Sequence, residues 1–182
     1  MKRRNMKTIQ IALIVAFFIP KLVLAKLDET VKECDQRYGT PIFTRDDSGI
    51  HERFYMKEGY FFQVWFKQEK AFHIRYGKYD KEKYRSGDTK SMVPLKLNDT
   101  EVELVLKANS NGLTWTQDDQ VDSLDSRWVR KDRKAAAILT YMEKHLIIVS
   151  LVEVAKSIKE EKKEKEETLK DFLSEQLPKK KE

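Results

Sequence analysis

Cysteine is almost missing: Cys34 stands alone among 182 residues. One thiol excludes an internal disulfide framework and any zinc or iron–sulfur centre that needs several cysteines. Glycine and proline are scarce, at six and four, which excludes collagen-like and linker-dominated chains. The three histidines are remote from one another. Without a His-x-His or His-x-x-x-His pair, no single element offers two metal ligands. There is no Gly-rich phosphate loop and no nucleophile-elbow pattern. No metal and no cofactor is therefore expected.

A surplus of one charge is lacking too, once the N-terminus is set aside. The formal net charge is +6, but residues 1 to 25 hold Lys2, Arg3, Arg4, Lys7 and Lys21 and no acid. Beyond them 31 bases face 30 acids, a balance with no general electrostatic reason to seek polyanions. Nucleic acid is not an expected partner. An uninterrupted apolar run of about 20 residues, the length that spans a bilayer, is also missing. Instead a basic start from Lys2 to Lys7 leads into the apolar stretch Ile9 to Pro20, Lys21 interrupts it, and Val23-Leu24-Ala25 fits a small-residue cleavage site. A signal peptide over residues 1–25, cut after Ala25, and a periplasmic or secreted product without a membrane span are the expected reading. An uncleaved N-terminal membrane anchor is the alternative. Val31-Lys32-Glu33 before Cys34 lacks the small residues that precede a lipidated cysteine.

The remainder divides into a globular part, 26–152, and a charged tail, 153–182. Leu27, Val31, Cys34 and Tyr38 recur at helical spacing, and Gly39-Thr40-Pro41 ends that helix. Ile50 to Met56, Tyr60 to Lys67 and Ala71 to Tyr79 are rich in β-formers, and the short connections between them suit hairpins. Asn98 and Glu101 make a capping box ahead of Val102, Val105 and Leu106, so a second helix starts there. Trp115 and Trp128 flank an acidic loop, and Ala135 to Met142 with Leu146 to Leu151 form a last hairpin. The order predicts an α+β fold: an antiparallel sheet of about five strands with helices packed on one face, then a charged C-terminal helix.

Alternation assigns the faces. Tyr60, Phe62, Val64 and Phe66, with Phe72, Ile74 and Tyr76, are expected to meet the core. The other face then carries His51, Arg53 and Tyr55, next Phe61, Gln63 and Trp65, and last Ala71, His73 and Arg75. Aromatic rings interleaved with bases stack on rings and pair with anions. Tyr55, Trp65, His73 and Arg75 are therefore the candidate site for a small ligand or an envelope protein. Cover by the tail helix or a second subunit is the structural alternative, because large aromatic side chains seldom stay bare. In the tail, nine consecutive charged residues, Lys159 to Glu167, give way to Leu169, Phe172, Leu173 and Leu177 at helical spacing, a candidate stripe for a partner helix.

Catalytic constellations are absent. Cys34 with His51, His73 or His145 as base would need an activated thiolate, but Cys34 lies on an apolar stripe, where a buried inert thiol is the ordinary outcome. Asp118, Asp119, Asp122 and Asp125 lack the glycine and terminal glutamate of a calcium loop. No residue is assigned a catalytic role.

The run Cys34-Asp35-Gln36-Arg37-Tyr38-Gly39-Thr40-Pro41, the meander with Gly59-Tyr60 and Trp65-Phe66, and the turn from Gly112 to Trp115 resemble small exported bacterial proteins of unassigned function. The likeness spans much of residues 27 to 150 and rests on structural punctuation. More remotely, a helix ending in Gly-x-Pro before a hairpin is similar to the small envelope lipoproteins that assist outer-membrane barrel assembly. This chain lacks their lipidation cysteine and exceeds them by two strands. The resemblance implies a non-enzymatic envelope role. The expectation is an exported binding module, with a small exported hydrolase and a protein self-assembling through its C-terminal helix as alternatives.

Overall fold

A computed structural model describes residues 24–85, 94–118 and 125–176. Thr30 starts the first helix: its Oγ1 accepts from the Glu33 N–H at 3.2 Å, and the Glu33 carboxylate accepts from the Thr30 N–H at 2.7 Å. Helix α1, Val31–Tyr38, ends at Gly39, whose φ of 88° suits glycine. The start expected at Leu27 falls too early for a long-range reason. The Asp28 N–H donates to the Ala71 carbonyl and the Ala71 N–H to the Glu29 carbonyl, both at 2.8 Å. Those backbone groups are committed to a strand and cannot join a helix.

Strands β1 (Phe43–Asp47), β2 (Ile50–Lys57), β3 (Tyr60–Lys67) and β4 (Lys70–Lys78) follow as successive antiparallel hairpins. Their turns are two-residue pairs with both φ angles positive, Ser48-Gly49, Glu58-Gly59 and Gln68-Glu69, the hand that matches strand twist. A short helix α2 (Lys81–Arg85) and helix α3 (Asp99–Ala108) come next, the latter with the expected reciprocal cap between Asn98 and Glu101. Then come β5 (Trp115–Gln117), β6 (Ser126–Arg130), β7 (Ala135–Leu139), β8 (Leu146–Ser150) and helix α4 (Leu151–Gln176). The strand order is β1-β2-β3-β4-β8-β7-β6-β5, antiparallel throughout. Two four-stranded meanders are thus joined along β4 and β8.

This corrects the expected fold. The sheet has eight strands instead of about five, and the chain is not a small sheet with its helices packed on one face. Strand β1 escaped notice because all five of its residues are exposed and carry no alternation. Strand β5 has three residues, and β6 lies where Trp128 was expected to flank the acidic loop. The longest helix, α4, is exposed at every residue from Ala155 to Thr168. No helix among the described residues is long and apolar enough to cross a membrane.

The core lies on the sheet face that carries Tyr55, Phe62, Val64, Ile74, Tyr76, Ala137, Leu146 and Ile148, joined by Val31, Cys34 and Tyr38 of α1 and Val102, Val105 and Leu106 of α3. The Tyr38 ring sits 4.7 Å from Phe62 and 5.3 Å from Tyr55. Leu24 and Ala25 belong to this core, 6% and 0% exposed. The cut expected after Ala25 therefore falls inside a packed stretch.

Candidate binding site

Strand β3 orients the opposite face. Phe61, Gln63 and Trp65 alternate with the core residues Phe62, Val64 and Phe66, so they point away from α1. A β-bulge then shifts β4: Trp65 pairs with His73, but Phe66 pairs with Ala71, leaving Phe72 as the extra residue. Ala71, 1% exposed, takes the core position expected of Phe72. Trp65, His73 and Arg75 stay together, with ring centroids of Trp65 and His73 4.3 Å apart and the Arg75 guanidinium 5.7 Å from the Trp65 ring.

Tyr55 is the exception. It pairs with Phe62 on the core face, is fully buried, and donates its hydroxyl to Asp35 Oδ1 at 2.8 Å. Neighbouring Arg53 reaches Asp35 Oδ2 at 2.7 Å. A charged residue that read as outward-facing is instead tied to α1, and β2 is turned over relative to the expectation. The residues β2 gives to the second face are Glu52, Phe54 and Met56.

A polar string crosses that face. Arg75 Nη1 donates to Gln63 Oε1 at 3.4 Å, the Gln63 amide donates to Glu52, and Glu52, 4% exposed, pairs with Arg45 at 2.7 Å. Beside it, Phe54 stacks on Phe61 at 5.5 Å, and Phe61 meets the edge of His145 at 5.0 Å. Gly77 makes this possible, because a Cβ there would overlap the Phe61 ring. Along the row from Arg75, the register runs through Ile147 and Ile138 to Arg127. Arg127 therefore shares the face. Neither it nor His145 was singled out from sequence for this site. The alternation of Arg127 with Trp128 and of His145 with Leu146 was the available signal.

Unpaired donors and acceptors concentrate here. His73 Nε2, Arg75 Nε, Arg127 Nε and both ring nitrogens of His145 are buried without a hydrogen-bond partner among the described residues. Glu143 lies 3.7 Å from His145 Nδ1, beyond hydrogen-bond reach. A cavity of about 260 Å³ opens against Arg75 and His145, closed by Pro94 and the turn Met142 to Lys144. Burial, reinforced by Arg75, lowers the His73 pKa to about 4 and moves His145 below the usual histidine range. At neutral pH both rings are uncharged and the positive charge beside them is that of Arg75.

This arrangement predicts an acid response. Above pH 6.5 His73 is neutral in both the folded and unfolded states and contributes nothing. Between 6.5 and about 4 the unfolded chain takes a proton that the folded one refuses. Stability is expected to fall across that window by about 2 kcal/mol, a figure already discounted for partial exposure. Urea unfolding at a series of pH values should show the ramp, and His73→Gln should remove most of it, leaving the smaller contribution of His145.

Among the described residues, Cys34 does not meet these rings: it lies on the core face. Cys34 is fully buried, and burial with the Glu29 charge drives its thiol pKa far up, so no thiolate forms. Glu29, raised by its own burial, lies under α1 paired with Arg37 at 2.7 Å. His51 Nδ1 sits 2.7 Å from Asp46 on an exposed hairpin. No cluster of three metal-ligating side chains occurs among the described residues. The tail candidates Leu169, Phe172 and Leu173 fall within α4, but their side chains lie outside the described residues, as do Leu177, Asp119 and Asp122.

No family model matches the chain, and no curated protein matches it. Among solved structures, a cysteine-rich secretory protein from Staphylococcus aureus subsp. aureus Mu50 is similar at 10% identity and a TM-score of 0.39, over 71% of this chain and 46% of that one. This chain thus spans less than half of that protein, and a likeness at this level carries no functional argument.

Proposed function

We propose that this chain is an exported, non-catalytic envelope protein that binds an anionic group on the second face of its sheet. The reading rests on the buried, unpartnered Nε of Arg75, whose guanidinium lies 5.7 Å from the Trp65 ring, with a second unpartnered Nε, that of Arg127, three strands away on the same face. A buried donor left unpaired costs about 1–3 kcal/mol, so several on one face are a reservoir that a carboxylate-bearing ligand would draw on. Guanidinium groups suit a carboxylate, and the Trp65 ring suits an apolar or aromatic group attached to it. An acidic peptide segment carrying an aromatic residue has that chemistry.

Titration with short acidic-aromatic peptides, followed by tryptophan emission and with Trp65→Phe to assign the signal, tests the reading. Binding is expected to weaken by about tenfold or more in Arg75→Ala, and further when Trp65→Ala is added. An unchanged circular dichroism spectrum would show that the double variant is folded. Peptide binding at full strength by that folded variant would remove the face from consideration. The hydrolase alternative draws less support, because the groups beside His73 are the Arg75 guanidinium and the Trp65 indole in place of a carboxylate. Self-assembly through α4 draws on Val154 and Ile158, 36% and 60% exposed.

A further inference from the structure

The stretch from Leu24 to Asp28 is sewn into the fold. The Leu24 carbonyl accepts from Arg37 Nη1 at 3.1 Å. The Ala25 carbonyl accepts from the Tyr76 hydroxyl and from Asn109 Nδ2, the latter at 3.2 Å. The Leu27 N–H donates to Asn109 Oδ1 at 2.9 Å, and the Asp28 N–H to the Ala71 carbonyl at 2.8 Å. A cut after Ala25 would remove two core side chains and two carbonyl acceptors. It would also leave a charged amine at the Lys26 nitrogen, which here is an amide donating to Glu29 Oε2 at 3.1 Å.

The entrance of this stretch is basic. Lys26, Lys107 and Arg130 line a cavity of about 350 Å³ with Asp28 and the turn Asn109 to Gly112. Arg130 also lines a groove of about 600 Å³ with Lys131, Arg133 and Asp118. Lys26, Lys107, Lys131 and Arg133 are exposed. Only Lys21, Leu22 and Val23 separate Pro20 from Leu24, a reach of about 10 Å at most.

We propose that the apolar leader is not removed after Ala25 and that it tethers the chain to a membrane, with the basic rim of Lys26, Lys107, Lys131 and Arg133 held against anionic lipid headgroups. The short reach keeps the domain close to the surface, and each rim lysine near an anionic leaflet gains from it. This inference is independent of the binding face. Peptide binding by the detergent-solubilised full chain does not require the tether, so either reading can fail alone.

Intact mass and fractionation of producing cells test the tether. The expected species keeps residues upstream of Pro20, stays with membranes through a high-salt wash and is released by detergent. A soluble species beginning at Lys26, or at any residue beyond Pro20, overturns the proposal. The rim is tested with the full chain in vesicles of phosphatidylglycerol or of phosphatidylcholine. Amine labelling of Lys107 and Lys131 is expected to fall about fivefold on the anionic vesicles and to recover in high salt. Equal labelling on both vesicles overturns the lipid-facing rim.

Discussion

Asn109→Ala is expected to lower the unfolding free energy by about 4 kcal/mol. Asn109 is 3% exposed at the end of α3, and its side chain joins three parts of the fold: Oδ1 accepts one hydrogen bond, and the two hydrogens on Nδ2 are shared among three acceptors. Oδ1 accepts from the Leu27 N–H at 2.9 Å, while Nδ2 lies 3.2 Å from the Ala25 carbonyl, 3.0 Å from the Tyr76 hydroxyl and 3.0 Å from the Val105 carbonyl. Each neutral bond is worth about 1 kcal/mol net, and the Leu27 N–H left without an acceptor adds its desolvation cost. No water-accessible group can take over, because Tyr76 is 2% exposed and Ala25 is fully buried. Urea denaturation monitored by tryptophan emission measures the loss. Asn109→Asp keeps the acceptor but turns a donor into a second acceptor against two carbonyls, so it should cost about as much. A loss below about 1 kcal/mol in either variant would mean that this asparagine is not the joint between leader, helix and sheet.

Gly77→Val is the second large effect, about 3 kcal/mol. The Phe61 ring lies across Gly77 of the neighbouring strand, where any Cβ would overlap it. Phe61 cannot simply swing aside: it is 8% exposed, clamped between the Phe54 stack and the His145 edge. Overpacking a filled site costs about 1–3 kcal/mol, and the preference of strands for valine over glycine recovers only part of that. The decisive measurement is a double-mutant cycle. In a Phe61→Ala background the valine has room, so the penalty should shrink to below about 1 kcal/mol, giving a coupling of about 2 kcal/mol. Additive losses would show that the ring and the glycine are energetically independent.

What could be read from the chain beforehand follows a physical divide between local and distant causes. The cap at Asn98 and Glu101 was legible because both partners lie within one turn. Strands β2 to β4 were legible because their hairpins are tight and rich in β-formers. Strand β1 was not, since an exposed edge needs no apolar face and its residues obey none. The start of α1 was hidden by Ala71, which claims the backbone of Asp28 and Glu29 from more than forty positions away. Face assignment worked for β3, where Tyr60, Phe62, Val64 and Phe66 keep an unbroken period of two on the core side. It failed for Tyr55 because Asp35 of α1 draws Arg53 and Tyr55 to the core side, and for Phe72 because a bulge costs one residue of parity. The grouping of Trp65, His73 and Arg75 survived because the bulge lies on the turn side of all three.

The junction of the two meanders carries a consequence for how the chain comes together. Every other strand pair joins neighbours in sequence, so the chain between them closes at smaller entropic cost. The pairing of β4 with β8 is different: four residue pairs, His73 with Val149 through Tyr76 with Leu146, join segments separated by α2, α3 and three strands. Each half can zip early from local contacts, whereas the seam must wait for the longest loop to close. Ile74 and Ile148, both fully buried and directly paired there, are the contact on which the two halves become one cooperative unit.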